Sequence, residues 1–223
     1  MCGRFSFAIT EKIIEEHYGF PFPGLMPRYN CAPSQILAVI TNKNPHTFSF
    51  LKWGFIPSWS KVSSTGNIMI NAKAETISSK PAFRNSIQTK RCLVPADSFY
   101  EWSQDTDKTP YRILLKDKPV FSMAGIWSEW QSPENEIISS FAIITTDSNE
   151  LIGKIHTRMP VIFDNDGDEK LWLKNSPGAE VLSLLKPLDA GKMRAYPVSK
   201  LVNLPKNDFP EIHKQDNGSN LFW

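Results

Sequence analysis

Arg91-Cys92-Leu93-Val94-Pro95-Ala96-Asp97-Ser98-Phe99-Tyr100-Glu101-Trp102 is rich in aliphatic and aromatic side chains, the composition of buried strand. Segments of similar character follow at residues 111–115, 120–126 and 137–145. Turn-forming clusters at Asp105-Thr106-Asp107 and Ser132-Pro133-Glu134-Asn135 separate them, so the succession predicts a largely antiparallel β-core. Upstream, residues 37–41 and 47–53 read as two strands around a turn at 42–46. Residues 161–163 and 193–198 add short edge strands. Thr10 is placed to cap a helix over residues 11–18, with Ile13, Ile14 and His17 on one side. Further helices are expected at 148–155 with Asp147 as cap, at 168–173, and at 179–185 before Pro187. Pro21, Pro23, Gly24 and Pro27 interrupt regular structure. Irregular chain runs through Pro57-Ser58-Trp59 and the loop Ser63-Ser64-Thr65-Gly66. With no internal repeat, low-complexity tract or linker, the reading is one α+β domain over residues 1–223. Its stretch after Leu204 is a loosely held tail, with Leu221-Phe222-Trp223 able to dock on the surface.

Composition bounds the class. Apolar residues make up 41%, with seven Trp and fourteen Phe, enough for a packed core. A charged fraction of 22% fits a globular protein and excludes a disordered one. No apolar run reaches the roughly 20 residues of a spanning helix, and Met1-Cys2-Gly3-Arg4-Phe5 lacks the layout of a signal peptide. The expectation is a cytoplasmic or nucleoid protein with no membrane partner. Cys2, Cys31 and Cys92 are odd in number and widely spaced, which excludes a disulfide framework and a zinc knuckle. No metal and no cofactor are expected. Net charge is only +2, but residues 1–100 carry +6 and residues 101–223 carry −4. That asymmetry is compatible with a basic groove built from the N-terminal half.

Cys2 follows the initiator methionine, and cysteine is small enough for methionine excision. The freed residue is a 1,2-aminothiol, whose amine and thiol have ordinary pKa values of about 8 and 8.5. An aldehyde condenses with the amine as a Schiff base, and the thiol closes on the same carbon to a five-membered thiazolidine. Proximity makes that closure effectively unimolecular. Position alone does not distinguish such a nucleophile from a small buried cysteine.

Six blocks supply the context. Met1-Cys2-Gly3-Arg4-Phe5 resembles the opening signature of the SOS-response-associated peptidase family. Tyr29-Asn30-Cys31-Ala32-Pro33-Ser34-Gln35, Trp53-Gly54-Phe55-Ile56-Pro57-Ser58-Trp59 and Asn71-Ala72-Lys73-Ala74-Glu75-Thr76 continue the resemblance in the family's order. So do residues 91–102 and Ile155-His156-Thr157-Arg158-Met159-Pro160-Val161, with weaker similarity at Val198-Ser199 and Val202-Asn203.

The resemblance implies a single α+β domain whose curved, mostly antiparallel sheets close into a pseudo-barrel with peripheral helices and a basic cleft. It implies a monomer that recognises abasic sites in single-stranded DNA and crosslinks to the ring-opened aldehyde. It also implies autoproteolytic removal of the residue before the cysteine. Cys2 is then the nucleophile, and Asn71, Glu101 and His156 complete the site. Glu101, among Phe99, Tyr100 and Trp102, has the surroundings of a desolvated proton shuttle. His156 suits protonation of the sugar oxygen or a departing amine, and Asn71 can hold the α-amine or polarise the aldehyde. Arg4, Lys73, Arg84 and Arg158 are the expected phosphate contacts, and Trp53 or Trp59 the expected base-stacking platform. Asn30 and Pro33 are expected to line the cleft. Taken alone, Glu101 would be a solvated strand residue, His156 a structural histidine and Asn71 a helix cap. Lys73 stands where the family more often has Arg, losing a bidentate fork. Ser98 replaces the usual Gly and implies only a slightly different strand turn. Two other readings are an N-terminal-nucleophile thiol peptidase acting on peptides in trans, and a non-catalytic DNA-binding module.

Overall fold

A computed structural model describes residues 2–216 apart from 23, 25, 62–67 and 175–177. The chain runs through β1 (Arg4–Phe7), α1 (Glu11–Tyr18), β2 (Arg28–Cys31), β3 (Ile36–Thr41), β4 (Asn44–Trp53) and β5 (Asn71–Lys73). It continues through α2 (Arg84–Thr89), β6 (Arg91–Ala96), β7 (Ser98–Trp102), β8 (Pro110–Leu115), β9 (Phe121–Gln131) and β10 (Ile137–Asp147). Last come β11 (Arg158–Pro160), β12 (Ile162–Phe163), α3 (Asp166–Leu173), α4 (Gly178–Leu182) and β13 (Met193–Pro197). No helix among the described residues is long and apolar enough to cross a membrane.

Two sheets organise these elements. β13-β8-β7-β1-β2 form an open, fully antiparallel sheet. In the second sheet, β4-β3-β6-β9-β10 form a closed circuit, because β10 pairs with β9 on one side and in parallel with β4 on the other. The pseudo-barrel implied by the sequence is thus a five-strand ring with one parallel seam, and β5, β11 and β12 extend it. Closure brings backbones close. A Cβ added to Gly125 of β9 would lie 2.8 Å from Cys92 Sγ and 3.2 Å from the Ala142 carbonyl oxygen, so only glycine fits there. Phe5, Trp53 and Phe141 link the two sheets through ring contacts at 5.2 Å and 6.2 Å between centroids.

The sequence reads residues 91–102 as one strand, but the chain changes sheets at Asp97. β6 lies in the ring and β7 in the open sheet. The Asp97 carboxylate is buried and accepts the Ala8 amide at 2.8 Å and Arg112 Nη2 at 2.7 Å. Arg112 also donates to Ser98 Oγ at 2.8 Å and to the Tyr196 hydroxyl at 2.8 Å. Ser98, expected only to alter a turn, is fully buried and shares a hydrogen bond with Ser6 of β1.

Other elements refine the expectation. α1 forms as read: Thr10 accepts the Ile13 amide, and Gly19 closes the helix at φ 77°. The 42–46 turn shrinks to Asn42-Lys43, because Asn42 Oδ1 accepts the Arg91 amide and the Trp127 indole. No helix spans 148–155. β10 extends to Asp147 by pairing with Arg158, and Asn149, not Asp147, accepts the amide of Ile152 ahead of a short 3-10 turn. The expected loop at 63–66 lies outside the described residues.

Residues 205–216 are not a loose tail. Asp208 accepts the amides of Tyr29 at 2.6 Å and Asn30 at 3.0 Å and pairs with Arg28. Ile212 is fully buried beside Tyr100, Val198 and Val202. Residues 217–223 lie outside the described set. Burial and the Arg112 cation hold the His213 imidazole down to about 4, against the opposing influence of Asp97 and Asp208. Its folded pKa is depressed, so this contribution to stability is present above about 6.5 and is lost as pH falls towards 4. Protection factors across 205–216, the exchange rates corrected for the base-catalysed intrinsic rate at each pH, should fall over that window, and His213→Phe should flatten the change. A pH-independent protection factor in the native chain would refute it. Separately, Gly125→Ala should lower stability by about 1–3 kcal/mol in urea denaturation, with partial recovery when combined with Cys92→Ala.

Candidate active site

Cys2 lies two residues before β1 and is 1% exposed. Its carbonyl oxygen accepts a hydrogen bond from Asn71 Nδ2 at 2.9 Å. Asn71 begins β5, which runs parallel to β10 with Asn71 opposite Ile143. The residue is therefore a strand position, where its local sequence alone reads as a helix cap. Asn71 Oδ1 is buried with no hydrogen-bond partner among the described residues, an acceptor with its capacity unused.

Glu101 is buried at 3% exposure on β7, next to β1, where Arg4 pairs with Tyr100. Glu101 Oε1 lies 3.3 Å from His156 Nδ1. The Arg158 amide donates to the same nitrogen at 3.0 Å. A proton on Nδ1 serves Glu101, whereas a bare Nδ1 serves the amide. The imidazole thus stands between two partners with opposite demands. Two contacts, Asn71 to Cys2 and His156 to Glu101, cross between the sheets. The four residues expected to react are brought together at that junction.

The Cys2 thiol is pushed up to about 12, chiefly by burial and then by the Glu101 charge. In this form it is a neutral thiol at physiological pH. Cys31 and Cys92 are buried and likewise raised by desolvation.

The expected DNA-contacting residues separate into two groups. Trp53 is fully buried, its indole donating to the Ile70 carbonyl at 3.0 Å. It is a core residue joining the sheets and offers no face to a base. Asn30 is also fully buried and holds Arg4 Nη1 at 2.8 Å, while its Nδ2 donates to the carbonyl of Asn207 at 2.7 Å. It does not line a cleft. Arg4 donates as well to the Val202 carbonyl at 2.7 Å and lies 5.9 Å from the Trp102 ring centroid. Arg158 is bidentate on Glu75, at 2.7 and 2.9 Å, and reaches Asp147 at 2.6 Å. Glu75 above all holds the Arg158 guanidinium above its usual range, so its charge is already matched. Pro33 is half-buried, and Trp59, Lys73 and Arg84 are exposed. Trp102 joins these residues in the structure: it covers Arg4 and donates to Asn203 Oδ1 at 2.8 Å. The motif Phe99-Tyr100-Glu101-Trp102 was the available signal.

An α+β pseudo-barrel carrying a cysteine at position 2 against a Glu–His pair and an asparagine defines a narrow class of protein. Residues 1–205 match the family described as SOS response associated peptidase (SRAP), and the chain belongs to that family. It is 47% identical over 221 residues to the abasic site processing protein YoqW of Bacillus subtilis (strain 168), spanning 95% of this chain and 98% of that one. It is 30% identical over 222 residues to the abasic site processing protein HMCES of Xenopus tropicalis, spanning 83% of this chain and 65% of that protein. A crystal structure of a protein from Bacteroides thetaiotaomicron superposes with a TM-score of 0.88 at 34% identity, covering 96% of this chain and all of that one, 100%.

Because the Glu101 charge adds to burial in raising the thiol, Glu101→Gln should shift Cys2 alkylation by iodoacetamide to lower pH. The midpoint should stay above the ordinary thiol value of 9.0, since burial is the larger cause. Peptide mass spectrometry across a pH series reads this, and a midpoint that is unchanged or moves upward would contradict it.

Proposed function

We propose that this chain is a DNA-repair protein that recognises abasic sites in single-stranded DNA and joins them covalently through Cys2. The observation that carries the reading is a cysteine at position 2 gripped by Asn71 and set beside the Glu101–His156 contact. The names of its relatives, abasic site processing proteins, support the same target.

While Met1 is attached, the Cys2 nitrogen is an amide and no Schiff base can form. Hydrolysis of the Met1–Cys2 bond consumes one water, and the Glu101–His156 pair can carry protons for it. The freed amine adds to C1 of the open deoxyribose, and loss of water leaves an imine. The thiol then adds across the carbon–nitrogen double bond: sulfur bonds to carbon and the proton ends on nitrogen. Because burial keeps the thiol protonated, that proton must move during ring closure, and Glu101 is the nearby carboxyl whose charge Cys2 senses. Asn71 Oδ1, with no partner among the described residues, suits an N–H of the released amine. Trp59, Lys73 and Arg84, being exposed, remain as contacts to bases and phosphates. Arg4 and Arg158 act by shaping the site.

Incubating the processed protein with uracil-derived abasic single-stranded DNA should give a species that survives denaturation, with a mass equal to protein plus DNA minus one water. Cys2→Ala should abolish it. Glu101→Gln should slow its formation by about 10²-fold or more. A crosslink retained in Cys2→Ala, or none with the processed native chain, would sink the proposal. Turnover of peptides in trans that ignores DNA would favour a thiol peptidase instead.

A further inference from the structure

A second cluster of ligating side chains stands away from Cys2. His17, in the last turn of α1, has Nε2 at 3.2 Å from Glu169 Oε1. Asp166 and Glu169 lie three residues apart in the first half of α3, so they share a helix face. Ligand atoms of all three residues lie within 4.8 Å of one another. They line a cavity of about 530 Å³ with Tyr18, Phe20 and His46, and none of the four reactive-site residues borders it.

We propose that His17, Asp166 and Glu169 bind a divalent first-row transition cation that fastens α1 to α3. Three features support this. Bonds of about 2.0–2.2 Å from one ion to nitrogen and oxygen set neighbouring ligands about 3.0–3.4 Å apart, and the His17–Glu169 separation already falls there. Glu169 is only 6% exposed, and a carboxylate so placed is better compensated by a cation than by an imidazole alone. Asp166 is exposed and free to rotate towards the other two, leaving further coordination positions open to the cavity. One imidazole and two carboxylates form a donor set suited to Zn²⁺, Mn²⁺ or Co²⁺, and not to soft thiolate-seeking ions. On binding, the ion takes the place of the His17–Glu169 hydrogen bond, the imidazole offering its lone pair from Nε2 and keeping its proton on Nδ1. The bridge joins positions 152 residues apart in the chain, so it constrains a long loop.

The test uses the full chain, titrated separately with Zn²⁺, Mn²⁺ and Co²⁺ by calorimetry and by thermal unfolding. One ion per chain is expected, with Tm raised by about 5–10 °C at a hundredfold excess over Kd. Asp166→Asn, which touches an exposed side chain, should weaken binding by about tenfold or more, and His17→Gln should abolish it. Absence of saturable binding at millimolar metal would overturn the proposal. So would affinity unchanged in both variants, or affinity lost in Cys2→Ser and kept in His17→Gln.

Discussion

The buried carboxylate of Asp97 sits where the chain leaves the barrel ring and enters the open sheet, and the rest of the fold is registered on it. An unpaired charge there would be costly, so its partners are fixed. The Ala8 amide, just beyond β1, and the Arg112 guanidinium, from β8, both converge on it. Arg112 in turn ties Ser98 and Tyr196, and the Tyr196 hydroxyl donates to the His213 carbonyl at 3.1 Å. One ion pair thereby orders β1, β7, β8, β13 and the C-terminal segment. Glu101 follows Asp97 by four residues and Cys2 precedes β1 by two, so the same pair sets where both can be.

The site inherits its character from that junction. The four motif residues come from both sheets, and the Cys2 thiol among them is raised mainly by desolvation. The two arginines nearest the site are absorbed by structure. Arg158 binds Glu75 and Asp147, and Arg4 is held by Asn30 and Val202 beneath Trp102. Their positive charge is matched by protein partners, whereas Lys73 and Arg84 are exposed.

Much of this was legible beforehand. Alternation and turn residues marked most of the longer strands, because a strand with one or two buried faces shows that burial in its composition. Thr10 and Gly19 marked α1 because capping is local chemistry. Short strands such as β2 and β5 carry no such mark. Their residues, among them Arg28, Asn30 and Asn71, are polar and gain their partners from distant chain. The helix expected at 148–155 failed for a related reason: pairing of β10 with β11 outweighs local helix preference.

The sequence by itself determined the class: a mixed α+β domain, the motif residues Cys2, Asn71, Glu101 and His156, and a family whose order of blocks the chain follows. Only the tertiary structure decided which polar residues face the site and which brace it. Trp53, Asn30, Arg4 and Arg158 all belong to the motifs, yet burial of the first two and the protein partners held by the two arginines make them supports. The physical reason is that a motif records residue type, whereas accessibility and charge compensation depend on which segments meet in space.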